Sequence, residues 1–143
     1  MKVIYLGAIH SSDSDFPLLK EYSRKGVDWV LYVSLTKYIH KAGLFNIKEM
    51  IPKTGLFKAS VLPEMAPYAD YIDLDRVIII NDYNTHQRLL SSRLLWLKVF
   101  WHMKKQHADI FHACWPLSGL RKILFRLPCK KVLTVHDPIS HSN

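Results

Sequence analysis

Glycine is scarce in this sequence, five residues in 143, and the scarcity excludes a good deal. A dinucleotide-binding turn needs three glycines at Gly-x-Gly-x-x-Gly spacing, and the first candidate turn offers only Gly7. Neither a Walker A loop nor a Gly-x-Ser-x-Gly nucleophile elbow occurs, which argues against P-loop and serine-hydrolase chemistry. Cysteine is rarer still. Cys114 and Cys129 are too few for a disulfide framework and make no Cys-x-x-Cys pair, so a reducing, cytoplasmic setting is expected. No uncharged apolar run approaches the ~20 residues of a spanning helix, because Arg88, Arg93 and Lys98 interrupt the best candidate. Residues 1–10 are apolar only briefly and lack the long apolar region of a secretory signal. Membrane contact is therefore expected to be peripheral, at the inner face.

Acidic residues are missing from one stretch. Residues 1–82 hold ten Lys/Arg and ten Asp/Glu, whereas residues 83–136 hold ten Lys/Arg and one acid, Asp109. The overall charge of +8 thus belongs to the second half of the chain, and it points to a phosphate-bearing partner or an anionic membrane surface. Nucleic acid is not expected, since no recognition helix, RNP sequence or zinc finger accompanies the charge.

What is present fits one folded domain over residues 1–143. At 49% hydrophobic and 22% charged the chain is neither disordered nor low in complexity, and a domain of this size buries roughly two-thirds of its unfolded surface. Residues 2–6 read as a buried strand stopping at Gly7. A helix then begins near Phe16-Pro17 with Asp15 as its N-cap and ends near Lys25-Gly26. A second strand follows over 27–33. Strand, helix and strand within about thirty residues is a βαβ unit, which implies parallel pairing. The spacing predicts a helix over 34–43 capped by Ser34, and one short strand within 56–62. It also predicts a strand over 77–80, a long helix over 88–107, a strand over 109–113, a helix over 116–127 and a strand over 131–136. The expected fold class is α/β: a Rossmann-like open parallel sheet with helices on both faces.

In such sheets ligands bind at the carboxyl ends of the strands. Those ends hold Gly7, Ala8 and His10 after the first strand, His112 and Trp115 after the strand near 110, and His136-Asp137 after the last. A histidine at a strand end serves structure more often than chemistry; three on one edge shift the balance toward function. His10, His112, His136 and His141 show no local ligand spacing, so no metal is expected. Residues 89–103 carry Leu90, Leu94, Leu97 and Trp101 at helical spacing. This stripe reads first as the buried face of a helix docked on the sheet. Its alternative is a basic, Trp-bearing helix lying on an anionic membrane.

Two segments of the C-terminal third carry a family resemblance. His107-Ala108-Asp109-Ile110-Phe111-His112-Ala113-Cys114-Trp115-Pro116-Leu117-Ser118-Gly119 resembles the Asp-Ile-His-x-His strand end and following helix of GT-B fold glycosyltransferases. Lys131-Val132-Leu133-Thr134-Val135-His136-Asp137-Pro138 resembles their Val-Leu-Thr-x-His-Asp-Pro segment, in the family 4-like group. The likeness covers residues 107–142 well and 1–33 loosely. It departs at Cys114, where a second histidine is usual, and in the single glycine of the first loop.

The resemblance implies the N-terminal, acceptor-side domain of a retaining glycosyltransferase of hexosyltransferase type. The second domain, which would bind the nucleotide-sugar, is missing from the chain, so the isolated half is expected to be inactive. The donor is a nucleotide-sugar co-substrate and no other cofactor is implied; the acceptor is a glycan, a lipid-linked sugar or a small molecule. On this likeness His136 contacts the donor sugar or assists transfer, and Asp137 orients its loop. Gly7, Ala8, His10, Ser11, Ser12, His112, Trp115, Ser118 and Gly119 line the cleft. An oxocarbenium-like transition state asks for positioned hydrogen bonds and charge rather than an activated nucleophile. No carboxylate pair of the glycosidase kind stands at these strand ends. The competing expectation is a non-catalytic α/β module whose basic face holds a phosphorylated or anionic membrane partner.

Overall fold

The β-branched and aromatic runs become strands in the computed structural model, which describes residues 1–86 and 88–135. In chain order the elements are β1 (Lys2–Gly7), α1 (Ser12–Arg24), β2 (Asp28–Leu35) and the two-residue strands β3 (Lys41–Ala42) and β4 (Phe45–Asn46). They continue with β5 (Gly55–Lys58), β6 (Val77–Asn81), α2 (Leu90–Lys104), β7 (Ile110–Ala113) and β8 (Lys130–Leu133). Six strands form one sheet in the order β5-β6-β2-β1-β7-β8, and β3 and β4 form a separate hairpin. The protein is an α/β fold of Rossmann-like type.

Successive side chains of the central strands point to opposite faces, and both faces are covered. Tyr5, Trp29, Leu31 and Val33 pack with Phe16 and Leu19 of α1. Ile4, Leu6, Val30, Tyr32, Ile78 and Ile80 pack with Leu95, Trp96, Val99 and Met103 of α2. Burial on both sides explains why β1, β2 and β6 are nearly continuous apolar runs rather than alternating ones. Trp29 Nε1 donates to Ser23 Oγ at 2.7 Å, fixing the end of α1 against β2.

Several expectations need correction. The sheet is not wholly parallel: β5 pairs antiparallel with β6. Pro63 and Pro67 divide the connection into short 3-10 turns, so no crossover helix carries the chain back for parallel pairing. No helix spans 34–43. Ser34 belongs to β2, and Thr36 Oγ1 accepts from the backbone N–H groups of Tyr38 and Ile39, closing a turn in the helix's place. Asp15 is not the cap of α1 but lies buried within it, its carboxylate held by Tyr5 and Ser11. The segment expected as a helix over 116–127 is a 3-10 helix, Gly119–Arg126, that starts only where Gly119 adopts φ +58°. The last strand runs over Lys130–Leu133 and leaves out Thr134 and Val135, which were expected in it; His136 lies outside the described residues.

The largest correction concerns α2. Its buried side is Ser92, Leu95, Trp96, Val99 and Met103. The stripe expected to face the core looks outward instead: Leu90 is 69% exposed, Leu94 55%, Leu97 43% and Trp101 49%. The helix carries two apolar stripes, and the one that includes small Ser92 lies on the sheet. No helix among the described residues is long and apolar enough to cross a membrane.

Candidate functional site

The strand order contains a reversal. From β1 the chain moves outward through β2 to β6, then returns across the sheet to place β7 on the other side of β1. Two connections that diverge from one strand leave a crevice at its carboxyl end. A cavity of about 250 Å³ lies there. Gly7 and Ala8 line it from β1, Ser34 and Thr36 from the end of β2, and Trp115, Leu117 and Arg121 from beyond β7. His10 and Trp115 face each other across it with ring centroids 5.3 Å apart and planes tilted by 52°.

The turn after β1 is held from below. Tyr5 Oη donates to Asp15 Oδ1 at 2.8 Å and Ser11 Oγ donates to Asp15 Oδ2 at 2.9 Å. Burial, reinforced by the Asp15 carboxylate, raises the Tyr5 phenol far above the ordinary tyrosine range, so it stays a donor. A Cβ on Gly7 would stand 2.7 Å from Asp15 Oδ2, which is why this position carries no side chain. Ser12 Oγ donates to the Ile9 carbonyl at 2.6 Å and accepts from Leu44 N–H at 2.8 Å, tying the turn to the β3–β4 hairpin. Between them, Gly43 adopts φ +55° beside the Ile9 carbonyl.

The candidate residues separate accordingly. Gly7, Ala8, His10 and Trp115 come together around the main cavity. Ser118 and Gly119 line a neighbouring cavity of about 130 Å³ with Asp82, Thr85 and His86. Ser11 and Ser12 do not reach either space; their hydroxyls hold the turn. His112 lies outside both as well. Its ring packs edge-on against Tyr5 at 4.7 Å, and its Nε2 is 2.6 Å from Thr134 Oγ1. Burial lowers its pKa from the ordinary value, which favours neutral imidazole. Cys114, the departure from the expected histidine, is buried, and burial pushes its thiol up to about 11. It is a core group, not a nucleophile. His136 and Asp137 lie outside the described residues.

The sequence reading passed over Ser34, Thr36 and Arg121, which line both cavities. The available signal was position: Ser34 and Thr36 stand at the carboxyl end of the strand beside β1. Among the described residues no three His, Cys, Asp or Glu side chains group closely enough to hold a metal ion. The edge instead offers hydroxyls, an imidazole, an indole and a guanidinium, groups suited to a polyol or an oxyanion. The sequence matches no protein-family model and no curated protein. What the structure defines is an α/β protein with a crevice of about 250 Å³ at the reversal of its sheet.

Proposed function

We propose that this chain is the acceptor-binding domain of a retaining glycosyltransferase, which transfers a sugar from a nucleotide-sugar to a hydroxyl-bearing acceptor. The observation that carries the reading is the crevice at the carboxyl end of β1. A sugar presents apolar C–H faces and a rim of hydroxyls. Trp115 and His10 offer ring surface for the first, and Ser34, Thr36 and Arg121 offer hydrogen bonds for the second. The two segments that carry the family resemblance also support it. They run side by side as β7 and β8, in parallel register from Ile110 opposite Lys130 to Ala113 opposite Leu133. In this reading His136 meets the donor sugar and Asp137 orients the loop. The crevice holds the acceptor hydroxyl beside the donor sugar, which lowers the entropic cost of the encounter. The test uses the complete protein with UDP- and GDP-hexoses and follows nucleotide release in the presence of membrane lipid extract. His136→Ala and Trp115→Ala are expected to lower turnover about a hundredfold or more with unchanged thermal stability. Absence of nucleotide release from every donor, or full turnover in both variants, overturns the reading.

A second reading rests on the outer face of α2. Leu90, Leu94, Leu97 and Trp101 form an exposed apolar stripe, and Arg93, Lys98, Lys104 and Lys105 lie on the same exposed side of the molecule. Lys104 Nζ stands 4.7 Å from the centre of the Trp101 ring. Apolar side chains among cations suit the surface of an anionic bilayer. A module that docks there needs no catalysis, and a transferase with a lipid-linked acceptor gains from the same attachment. Co-sedimentation with phosphatidylcholine vesicles, with and without phosphatidylglycerol, tests it. Each buried Leu or Trp contributes about 1.5–3 kcal/mol, so Leu94→Ser with Trp101→Ser is expected to weaken binding about a hundredfold or more. Equal sedimentation with both vesicle types at low salt counts against it.

A further inference from the structure

Among the described residues, one buried hydroxyl at the sheet edge lacks a hydrogen-bond partner and one guanidinium lacks a contact ion pair, and both residues line the same two cavities. Ser34 Oγ is buried without a hydrogen-bond partner. The half-buried Arg121 guanidinium stacks over Trp96 at 5.3 Å from the ring centre, and although the charge of Asp82 reaches it, among the described residues no carboxylate lies within ion-pairing distance. Ser34, Thr36 and Arg121 are the residues that both cavities share, so they form the wall between them. An unpaired guanidinium and an orphan hydroxyl in a low-dielectric wall are each unfavourable alone. A phosphoryl oxyanion satisfies both, because guanidinium N–H groups fork onto two of its oxygens and a hydroxyl donates to a third.

We propose that Arg121, Ser34 and Thr36 form a binding site for the phosphoryl group of a phosphomonoester or phosphodiester, whether or not the chain takes part in sugar transfer. The one acid lining this region, Asp82, has Oδ1 occupied by Ser92 Oγ at 2.8 Å. Asp82 lines only the smaller cavity, so its charge disfavours an anion there and favours the main-cavity side of Arg121. Cys114, the other titratable group felt by Arg121, is held as a neutral thiol by burial. Burial also lowers the Arg121 pKa, the direction a bound oxyanion reverses. His10 and Trp115 line the main cavity on the open side of this wall, leaving space for the organic part of the ligand.

The test measures binding and thermal stabilisation of the full chain by inorganic phosphate, glucose 6-phosphate and phosphatidate-containing vesicles. Glucose and chloride at matched ionic strength are the controls. Phosphate is expected to bind and to raise the melting temperature. Arg121→Gln is expected to weaken binding about tenfold or more and Ser34→Ala several-fold, whereas Lys122→Gln, an exposed cation on the same turn, leaves it unchanged. Should Arg121→Gln fold poorly through loss of its stack on Trp96, Ser34→Ala decides, since it removes a single hydroxyl and leaves that stack in place. Arg121-dependent binding of the soluble phosphates identifies a free phosphoester as the source; Arg121-dependent binding of the vesicles alone identifies a lipid headgroup. The proposal is overturned if none of the three probes binds, or if binding is equal in wild type, Arg121→Gln and Ser34→Ala.

Discussion

Replacing Gly7 by alanine asks whether the turn after β1 is held by the carboxylate beneath it. The added Cβ would stand 2.7 Å from Asp15 Oδ2, with Leu31 Cδ1 at 3.3 Å and Tyr5 Cε1 at 3.4 Å. The carboxylate cannot withdraw freely, because Tyr5 and Ser11 each hydrogen-bond to one of its oxygens. Hydrogen bonds to a charged group contribute about 1.5–3 kcal/mol each. Straining both without abolishing either gives an expected loss of about 2–4 kcal/mol. For a domain of this size the melting temperature then falls by about 6–12 °C. Urea unfolding at equilibrium measures the change directly, and a double-mutant cycle assigns it. In an Asp15→Ala background the collision is gone, so Gly7→Ala is expected to cost less than about 1 kcal/mol there. A single variant within about 0.5 kcal/mol of wild type refutes the reasoning. An equal cost in both backgrounds also refutes it, shifting the strain to Leu31 and Tyr5.

Three other outcomes are expected. Trp96→Ala, on the buried side of α2, costs about 3–5 kcal/mol, whereas Trp101→Ala changes stability by less than about 1 kcal/mol; reversed values in urea melts would rotate the helix. Ser12→Ala loses about 1–3 kcal/mol by stranding Leu44 N–H. Gly43→Ala is at least as severe, since its Cβ meets the Ile9 carbonyl at positive φ; differential scanning calorimetry of both checks this. Burial holds His102 and His112 below the ordinary imidazole pKa, so the unfolded chain binds the extra protons. Stability is therefore full above about pH 6.5 and falls as the pH drops toward the folded-state values. The urea midpoint is expected to decline from about pH 7.5 to pH 5, and His102→Asn with His112→Asn should flatten that decline.

The central strands were legible because burial on both faces demands uninterrupted apolar runs, and residues 2–6, 27–33 and 77–80 are such runs. The end of α1 was legible too: Gly26 at φ +74° follows Lys25 at its cap. Residues 34–43 were not, because the Thr36 side chain competes locally for backbone donors and no apolar period records that competition. In α2 the period was visible and still misleading. Leu90, Leu94, Leu97 and Trp101 make as good a stripe as Leu95, Trp96, Val99 and Met103, so amphipathicity could not choose the inner face. The candidate site followed the same pattern. Gly7, Ala8, His10 and Trp115 were found by strand-end position alone, while Arg121 was hidden among ten basic residues, since burial against Trp96 leaves no trace in sequence.

The placement of β1 has a consequence for the order of assembly. β1 leaves the ribosome before the other strands of this sheet, and β2 can pair with one of its edges soon after. The partner for its other edge, β7, begins at Ile110. At roughly 5–20 residues per second, about a hundred residues pass in some 5–20 s while that edge of the hydrophobic centre stays open. The nascent chain thus carries an unsatisfied row of N–H and C=O groups until β7 emerges, the condition under which strands recruit the wrong neighbour. In the finished sheet β7 closes that edge, so this particular opportunity for mispairing exists only while the chain is being made.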